Sequence, residues 1–171
     1  MIIGNPDVFS IIIDVVDEWN IDKSFNNGLL FMGINGVLIP NKILSVTLNA
    51  EVFSLIKKLE NPIENINIFS MEKNDAFICI CRQIFSDDYS DANSSSSYDI
   101  TPWEFADNDY FVFMVSNGKH VRILSAELQY VMEESVYNLE GIDVIDTYIS
   151  SEELKKIIEK LRLFEKERQE N

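Results

Sequence analysis

Two Asn-Gly dipeptides, each placed between apolar runs, limit the folds open to this chain more than any other feature. Asn35-Gly36 separates residues 29–34 from 37–40, and Asn117-Gly118 separates residues 110–115 from 119–124. A two-residue hairpin turn needs positive φ at both central positions, which Asn and Gly adopt at little cost. Two such hairpins predict an antiparallel sheet.

Short apolar runs indicate further strands. Residues 8–16 are rich in β-branched side chains and favour a buried strand. We also expect strands around 66–71 and 76–84, the second with both cysteines of the chain on one face. Residues 135–139 favour a strand, whereas residues 126–133 suit either a helix or a strand.

Two main helices are predicted. The apolar spacing in residues 49–60 is helical, and Asn61-Pro62 ends the run because the residue before proline avoids the helical conformation. A second helix over 151–168 begins with a capping box, in which Ser150 is the N-cap and Glu153 follows three residues later. Its apolar stripe consists of Leu154, Ile157, Ile158, Leu161 and Phe164.

These elements predict an α+β fold, in which an antiparallel or mixed β-sheet with two Asn-Gly hairpins packs against the two main helices. With 171 residues, of which 46% are apolar, the chain suits a single domain spanning residues 1–171. Residues 86–99 are rich in Ser and Asp and lack an apolar period, so we interpret them as a loop inserted between strands.

The charge balance argues against several classes of partner. The chain has 14 basic and 29 acidic residues and a formal net charge of −15. Nucleic acids and anionic membranes both require Lys and Arg at the contact, so neither is expected as a partner, whereas a basic protein is compatible. The first basic residue is Lys23, and no apolar run approaches the length of a membrane span, so we expect a cytoplasmic protein without a secretory signal.

Residue types that carry catalysis or bind soft metals are scarce. The chain has one histidine, His120, and two cysteines, Cys79 and Cys81, whereas a structural zinc site usually needs four ligands. The cysteines are better interpreted as small apolar core residues, and His120 beside a turn is expected on the surface. Carboxylate pairs are too numerous to single out an acid and a base. We therefore expect no enzyme activity, no cofactor and no metal.

Acidic residues cluster in a window without any basic residue between Arg82 and Lys119. Aromatic residues are interleaved with them, namely Tyr89, Tyr98, Trp103, Phe105 and Tyr110. A second acidic window without basic residues runs from Arg122 to Lys155. The candidate partner-binding residues lie in the first window and are Asp87, Asp88, Asp91, Trp103, Glu104, Asp107 and Asp109.

Two interpretations of the first window are open. Acidic loops can simply keep a protein soluble, while the aromatic residues fill the core. Alternatively, carboxylates around an aromatic anchor form a docking face for a cationic partner, because they steer its approach and the anchor supplies binding energy. The density of acidic residues over 87–109, expected on a loop, favours the docking face.

Resemblance to a known family is carried by Met1-Ile2-Ile3-Gly4-Asn5-Pro6, Phe9-Ser10-Ile11, Gly28-Leu29-Leu30-Phe31 and Ile34-Asn35-Gly36. This pattern resembles the start of family forty-two of the immunity proteins of bacterial polymorphic-toxin systems, and residues 103–124 look similar. The resemblance implies a small cytoplasmic protein that binds and blocks a cognate toxin, often in contact-dependent growth inhibition. Toxins of this kind are frequently nucleases with basic substrate channels, for which an acidic domain is a suitable counterpart.

The leading hypothesis is therefore an immunity protein that occludes its toxin by stoichiometric binding. The alternative is an acidic regulatory or adaptor module that binds another basic protein. An enzyme that uses a pair of carboxylates is the third hypothesis.

Overall fold

Strands and helices both contribute to the fold over residues 1–20, 26–85 and 98–169, which are the residues that the computed structural model describes. The strands are β1 (Ile2–Asn5), β2 (Phe9–Val15), β3 (Asn27–Ile34), β4 (Val37–Ile39), β5 (Ser45–Thr47), β6 (Tyr110–Ser116), β7 (His120–Glu127), β8 (Gln129–Val131), β9 (Val136–Asn138) and β10 (Ile145–Ser150). The helices are α1 (Leu48–Leu59), α2 (Ile66–Ser70), α3 (Lys73–Ile84), α4 (Trp103–Ala106) and α5 (Ser151–Gln169). The predicted α+β class with antiparallel sheets is confirmed.

A five-stranded antiparallel sheet is built from the N-terminal part of the chain, and it includes the strand predicted over 8–16. Its order is β1-β2-β3-β4, and β5 pairs with the first residues of β3. The turn between β3 and β4 consists of Asn35 and Gly36, whose φ angles are 50° and 76°, and Ile34 pairs with Val37 across it. Asn and Gly are the residues that tolerate this backbone conformation.

A three-stranded antiparallel sheet has the order β10-β7-β6. The connection between β6 and β7 differs from the turn predicted at Asn117-Gly118, because Gly118 has positive φ, 89°, but Asn117 does not. The Asn117 side chain instead accepts hydrogen bonds from the backbone N–H groups of Lys119 and His120, at 3.0 and 2.8 Å. Such a side-chain turn reverses the chain without a second residue of positive φ.

Two hydrophobic cores lie on opposite faces of the three-stranded sheet. Along β6, Val112 and Met114 belong to the first core, which the five-stranded sheet, α1 and α5 complete. Phe111 and Phe113 belong to the second core, together with residues of α2 and α3. Because both faces of the sheet are buried, β6 is apolar along its length instead of alternating with exposed polar residues.

The strands predicted around 66–71 and 76–84 are wrong, since these residues lie in α2 and α3. The Asn65 side chain caps α2 by accepting a hydrogen bond from the Ile68 N–H at 3.1 Å, and Glu72 caps α3 in the same way. The residues that α3 buries follow the helical spacing rather than alternation, and they are Ala76, Phe77, Ile80 and Cys81.

The C-terminal helix α5 begins with the predicted capping box. The Ser150 Oγ accepts a hydrogen bond from the Glu153 N–H at 3.1 Å, and the Glu153 carboxylate accepts one from the Ser150 N–H at 2.8 Å. The helix packs against α1 and β1. Strand β9 lies within the strand predicted for 135–139, and β8 occupies part of the stretch 126–133 that the sequence left open.

Candidate functional site

The aromatic residues of the first acidic window divide into core and surface residues. Tyr98, Phe105 and Tyr110 are buried, at 6%, 0% and 5% exposure, so the core interpretation holds for these three. Trp103 is 57% exposed and is the one large aromatic side chain of residues 98–110 that solvent reaches freely. An exposed tryptophan among carboxylates is a typical anchor for a protein partner.

Part of the predicted site lies outside the described residues. These residues are Asp87, Asp88 and Asp91; the aromatic residue Tyr89 and most of the predicted loop over 86–99 also lie outside the described residues. The structure places the remaining four predicted residues, Trp103, Glu104, Asp107 and Asp109, within one seven-residue stretch between the buried Thr101 and strand β6. The sequence predicted a loop for these residues, but Trp103 and Glu104 lie in helix α4.

The position of α4 is fixed by a buried carboxylate of α1. Glu51 is 3% exposed, and its two carboxylate oxygens accept hydrogen bonds from the backbone N–H groups of Trp103 and Glu104, at 3.1 and 3.0 Å. These N–H groups have no partner within α4, so Glu51 supplies the cap that the helix lacks. Lys58, two turns of α1 further on, donates to the Thr101 carbonyl oxygen just before α4. The exposed Trp103 therefore stands on a rigid support.

Asp109 ends the stretch in a left-handed conformation, with a φ angle of 67°. Aspartate tolerates this conformation better than most residues do. The Asp109 carbonyl oxygen accepts a hydrogen bond from the Leu128 N–H at 2.8 Å, which fixes the turn into β6. Burial raises the pKa of the Tyr137 hydroxyl, and the negative charge of nearby Asp109 raises it further. Asp109 thus faces the β8–β9 hairpin.

An open cleft of about 630 Å³ lies beside Asp109. One wall is the edge strand β4, whose residues Val37 and Leu38 are 46% and 45% exposed. The opposite wall is the end of the three-stranded sheet where β6 begins, β7 ends and β10 begins, with β8 alongside. Tyr130 of β8 adds an aromatic ring that is 44% exposed.

Three carboxylates line this cleft, and none of its lining residues is a lysine or an arginine. They belong to Asp109, Glu127 and Asp143. The Tyr110 hydroxyl donates a hydrogen bond to the Asn41 Oδ1 at 2.6 Å; burial raises the pKa of this hydroxyl, and the negative charge of nearby Glu127 raises it further. Lys42 lies beside the cleft residue Tyr110: its Nζ is 5.2 Å from the centre of that ring and donates to the Asn108 carbonyl oxygen.

Most residues of this cleft are not among the candidates that the sequence indicates. Glu127 and Asp143 fall in the second acidic window, so the sequence shows their negative charge. It does not show that they lie close to Asp109. Val37 and Leu38 belong to the run after Asn35-Gly36, where a polar residue is usual on the solvent face of a strand. Two apolar side chains exposed next to a turn are the signal that could have drawn attention to β4.

Residues that were considered for metal binding lie elsewhere. Cys79 and Cys81 are both on α3, and burial raises the pKa of the Cys81 thiol to about 12, which keeps it protonated. Over the described ranges 1–20, 26–85 and 98–169, no group of three or more His, Cys, Asp or Glu side chains has an arrangement that could hold a metal ion. In the same residues no helix has the length and apolar content needed to cross a membrane.

Comparison with known proteins identifies the family. The immunity protein 42 family matches residues 1–164, nearly the whole chain. The chain belongs to this family. The resemblance seen in the sequence is confirmed, and the function of this immunity protein is to neutralise a toxin.

A solved structure has the same fold as this immunity protein. The crystal structure of CdiI from Burkholderia dolosa AUO158 superposes with a TM-score of 0.71 over 95% of this chain and 99% of that chain. The two sequences are 19% identical, so the likeness establishes the fold. No curated protein has a sequence that matches this chain.

Proposed function

We propose that this immunity protein neutralises a basic, nuclease-type toxin in the cytoplasm by stoichiometric occlusion, without turnover. The contact surface that we propose comprises the carboxylates and the tryptophan of residues 87–109. Its members are Asp87, Asp88, Asp91, Trp103, Glu104, Asp107 and Asp109. The partner is the basic C-terminal toxin domain of a larger protein.

The observation that carries this proposal is the exposure of Trp103. Three aromatic residues of the same window are buried, yet Trp103 is 57% exposed on a helix that the buried Glu51 holds in place. A rigid, preorganised anchor loses little conformational entropy on binding, which favours the high affinity that an inhibitor of a lethal protein needs. Protein interfaces are enriched in tryptophan for this reason.

The charge of the chain supports a basic partner. The net charge of −15 lies in residues 1–150, because acidic and basic residues balance over 151–171. A nuclease that binds phosphates carries Lys and Arg in its substrate channel. Carboxylates beside the anchor would attract such a surface from a distance and raise the association rate.

Growth of a bacterial culture tests the function. The domain encoded at the end of the neighbouring reading frame is expressed from an inducible promoter, with and without this chain. We expect growth arrest in its absence and full growth in its presence, together with a one-to-one complex on size-exclusion chromatography. Arrest that persists when the chain is present would contradict the proposal for that toxin.

A single substitution tests the anchor. Trp103→Ala should weaken binding to the toxin domain by 2 kcal/mol or more, about 30-fold, if Trp103 lies at the centre of the interface. Trp19→Ala is the matched control, because Trp19 is 44% exposed and lies outside the proposed surface. Isothermal titration calorimetry measures both affinities. Equal affinities for the two variants would remove Trp103 from the interface.

An acidic adaptor for another basic protein is the second candidate, and the net charge is the observation that favours it. The growth experiment separates the two functions, because an adaptor leaves the toxin active.

A further inference from the structure

We infer that the cleft between β4 and the end of the three-stranded sheet receives an arginine-bearing loop of the toxin. This inference rests on the proposed function and names the part of the partner that enters the molecule. It assigns a role to residues that lie outside the acidic stretch around Trp103, namely Val37, Leu38, Glu127, Tyr130 and Asp143.

The shape of the cleft suits a loop of a protein. Its volume of about 630 Å³ is enough for a few side chains, and it is open to solvent along its length. Val37 and Leu38 leave almost half of their surface exposed although they are apolar. Exposed apolar side chains beside a concave surface are usually covered by a partner.

The negative charges that line the cleft favour a positively charged group of the partner. Asp109, Glu127 and Asp143 all line it, and no lysine or arginine among its lining residues offsets them. The amino group of Lys42, beside the cleft, already contacts the Tyr110 ring and the Asn108 carbonyl oxygen. A guanidinium group would bring the opposite charge into this site and form strong paired hydrogen bonds with a carboxylate.

The aromatic wall favours arginine over lysine. Tyr130 packs edge-on against Tyr137 with ring centres 5.1 Å apart, so its ring is held in place at the mouth of the cleft. A planar guanidinium stacks on such a ring while it donates hydrogen bonds to neighbouring carboxylates, whereas an ammonium group is more strongly hydrated and does not stack. An apolar neighbour of the arginine would cover Val37 and Leu38.

Charge reversal with a matched control tests this inference. The double variant Glu127→Lys with Asp143→Lys changes two exposed carboxylates of the cleft. The control, Asp14→Lys with Asp75→Lys, makes the same change in net charge at two exposed carboxylates that do not line the cleft. We expect the cleft variant to bind the toxin domain about 100-fold more weakly, and the control less than about 5-fold more weakly, at physiological salt.

Hydrogen exchange locates the contact without any substitution. On addition of the toxin domain, the backbone amides of residues 37–39 and 129–130 should exchange more slowly in the intact chain. Circular dichroism and a melting curve verify that each variant is folded. Replacement of the arginines of the toxin by lysine should weaken binding to the wild-type chain and change little with the cleft variant.

The outcomes distinguish the inference from the proposed function. If the wild-type chain protects cells but the folded cleft variant binds as well as the control, the cleft is not the contact and the immunity function stands. Slower exchange confined to other segments leads to the same conclusion. If the wild-type chain neither binds nor protects, the proposed function and the cleft inference both fall. A dimer in light scattering that Leu38→Asp dissociates would assign the cleft to a second copy of this chain and overturn the inference.

Discussion

At the scale of single residues, one buried arginine joins a helix to a sheet. Arg122 is 2% exposed, its Nε donates a hydrogen bond to the Asp146 Oδ2 at 2.9 Å, and its Nη2 lies 2.8 Å from the same oxygen in an ion pair. It also donates to the carbonyl oxygens of Phe69 and Met71, at 3.1 and 2.6 Å. The last carbonyls of a helix lack partners within the helix, so Arg122 satisfies the end of α2 while it pairs β7 with β10.

Removal of this arginine should be costly. Arg122→Met leaves the partly buried Asp146 carboxylate and two carbonyl oxygens without their donor, so we expect a loss of about 3–5 kcal/mol in the free energy of unfolding. Arg162→Met is the control, because Arg162 pairs with Glu60 at 2.6 Å but is 60% exposed. A surface pair of this kind contributes about 1 kcal/mol or less. Urea denaturation measures both variants, and equal losses would contradict the role given to Arg122.

A second residue prediction concerns the pH dependence of stability. Burial raises the pKa of the Glu51 carboxyl above its ordinary value of 4.5, although the N–H groups of Trp103 and Glu104 oppose this shift. The folded state therefore holds the proton more strongly than the unfolded chain does. Stability from this group is greatest below pH 4.5 and declines as the pH rises through the folded-state pKa.

The variant Glu51→Gln has no titrating group at this position, so its comparison with the wild type isolates the contribution of Glu51. We expect the free energy of unfolding of the wild type, minus that of Glu51→Gln, to fall as the pH rises from about 4 to about 8. Subtraction cancels the other carboxylates, which both proteins share. Urea denaturation at a series of pH values gives the difference. An increase with pH would mean that the two N–H groups outweigh burial.

At the scale of elements, local signals predicted the ends of helices better than the identity of short apolar segments. The capping box at Ser150 and Glu153 correctly marked α5, since its hydrogen bonds involve residues three positions apart. The alternation of Phe77, Cys79 and Cys81 favours a strand over residues 76–84. Helical spacing fits the same nine residues, and the contact with the second face of the three-stranded sheet decides between them. This tertiary contact cannot be predicted from a local sequence pattern.

The capping box gives the element prediction. Ser150→Ala removes the oxygen that accepts from the Glu153 N–H, which should lower the free energy of unfolding by about 1 kcal/mol. Hydrogen bonds from Ser150 lower the pKa of Glu153, so this carboxylate stabilises the fold above pH 4.5 and ceases to as the pH falls through its folded-state pKa. The cost of Ser150→Ala should accordingly shrink in acid.

Ser54→Ala in the interior of α1 is the control for this variant. It removes a hydroxyl from a helix without removing a cap, so the change should stay within about 0.5 kcal/mol. Thermal denaturation at neutral and acidic pH compares the two variants. If the loss of stability in Ser150→Ala does not depend on pH, the charge of Glu153 does not contribute to the cap.

At the scale of the whole molecule, the candidate site combines a predictable part with an unpredictable one. The sign of the charge and the choice of Trp103 as a candidate came from the sequence, because both lie within one acidic window, whereas the exposure of Trp103 is known only from the fold. The cleft was not, because Val37, Asp109 and Asp143 meet only when two sheets that are distant in the chain come together. Its formation depends on tertiary packing that no local pattern encodes.

Distribution of charge, rather than its total, should control association with the toxin. At physiological ionic strength the electrostatic screening length is about 8 Å, so only carboxylates near the contact attract the partner, whereas at low salt the whole chain contributes. The variant Asp87→Lys, Asp88→Lys, Asp91→Lys reverses three carboxylates of the proposed surface. The control variant replaces Glu152, Glu159 and Glu165 with Lys. These residues lie in α5, in the segment 151–171 where acidic and basic residues are equal in number.

Stopped-flow association with the toxin domain at several salt concentrations compares the two triple variants. At physiological salt we expect the surface variant to associate about tenfold more slowly than the wild type, with a flatter dependence on salt, while the control stays within about twofold. At low salt both variants should be slower, because screening no longer hides the distant charges. Dissociation rates should change less than association rates in both cases, since steering acts before contact. If the control is slowed as much as the surface variant at physiological salt, net charge alone drives the encounter, and residues 87–91 have no special place in it.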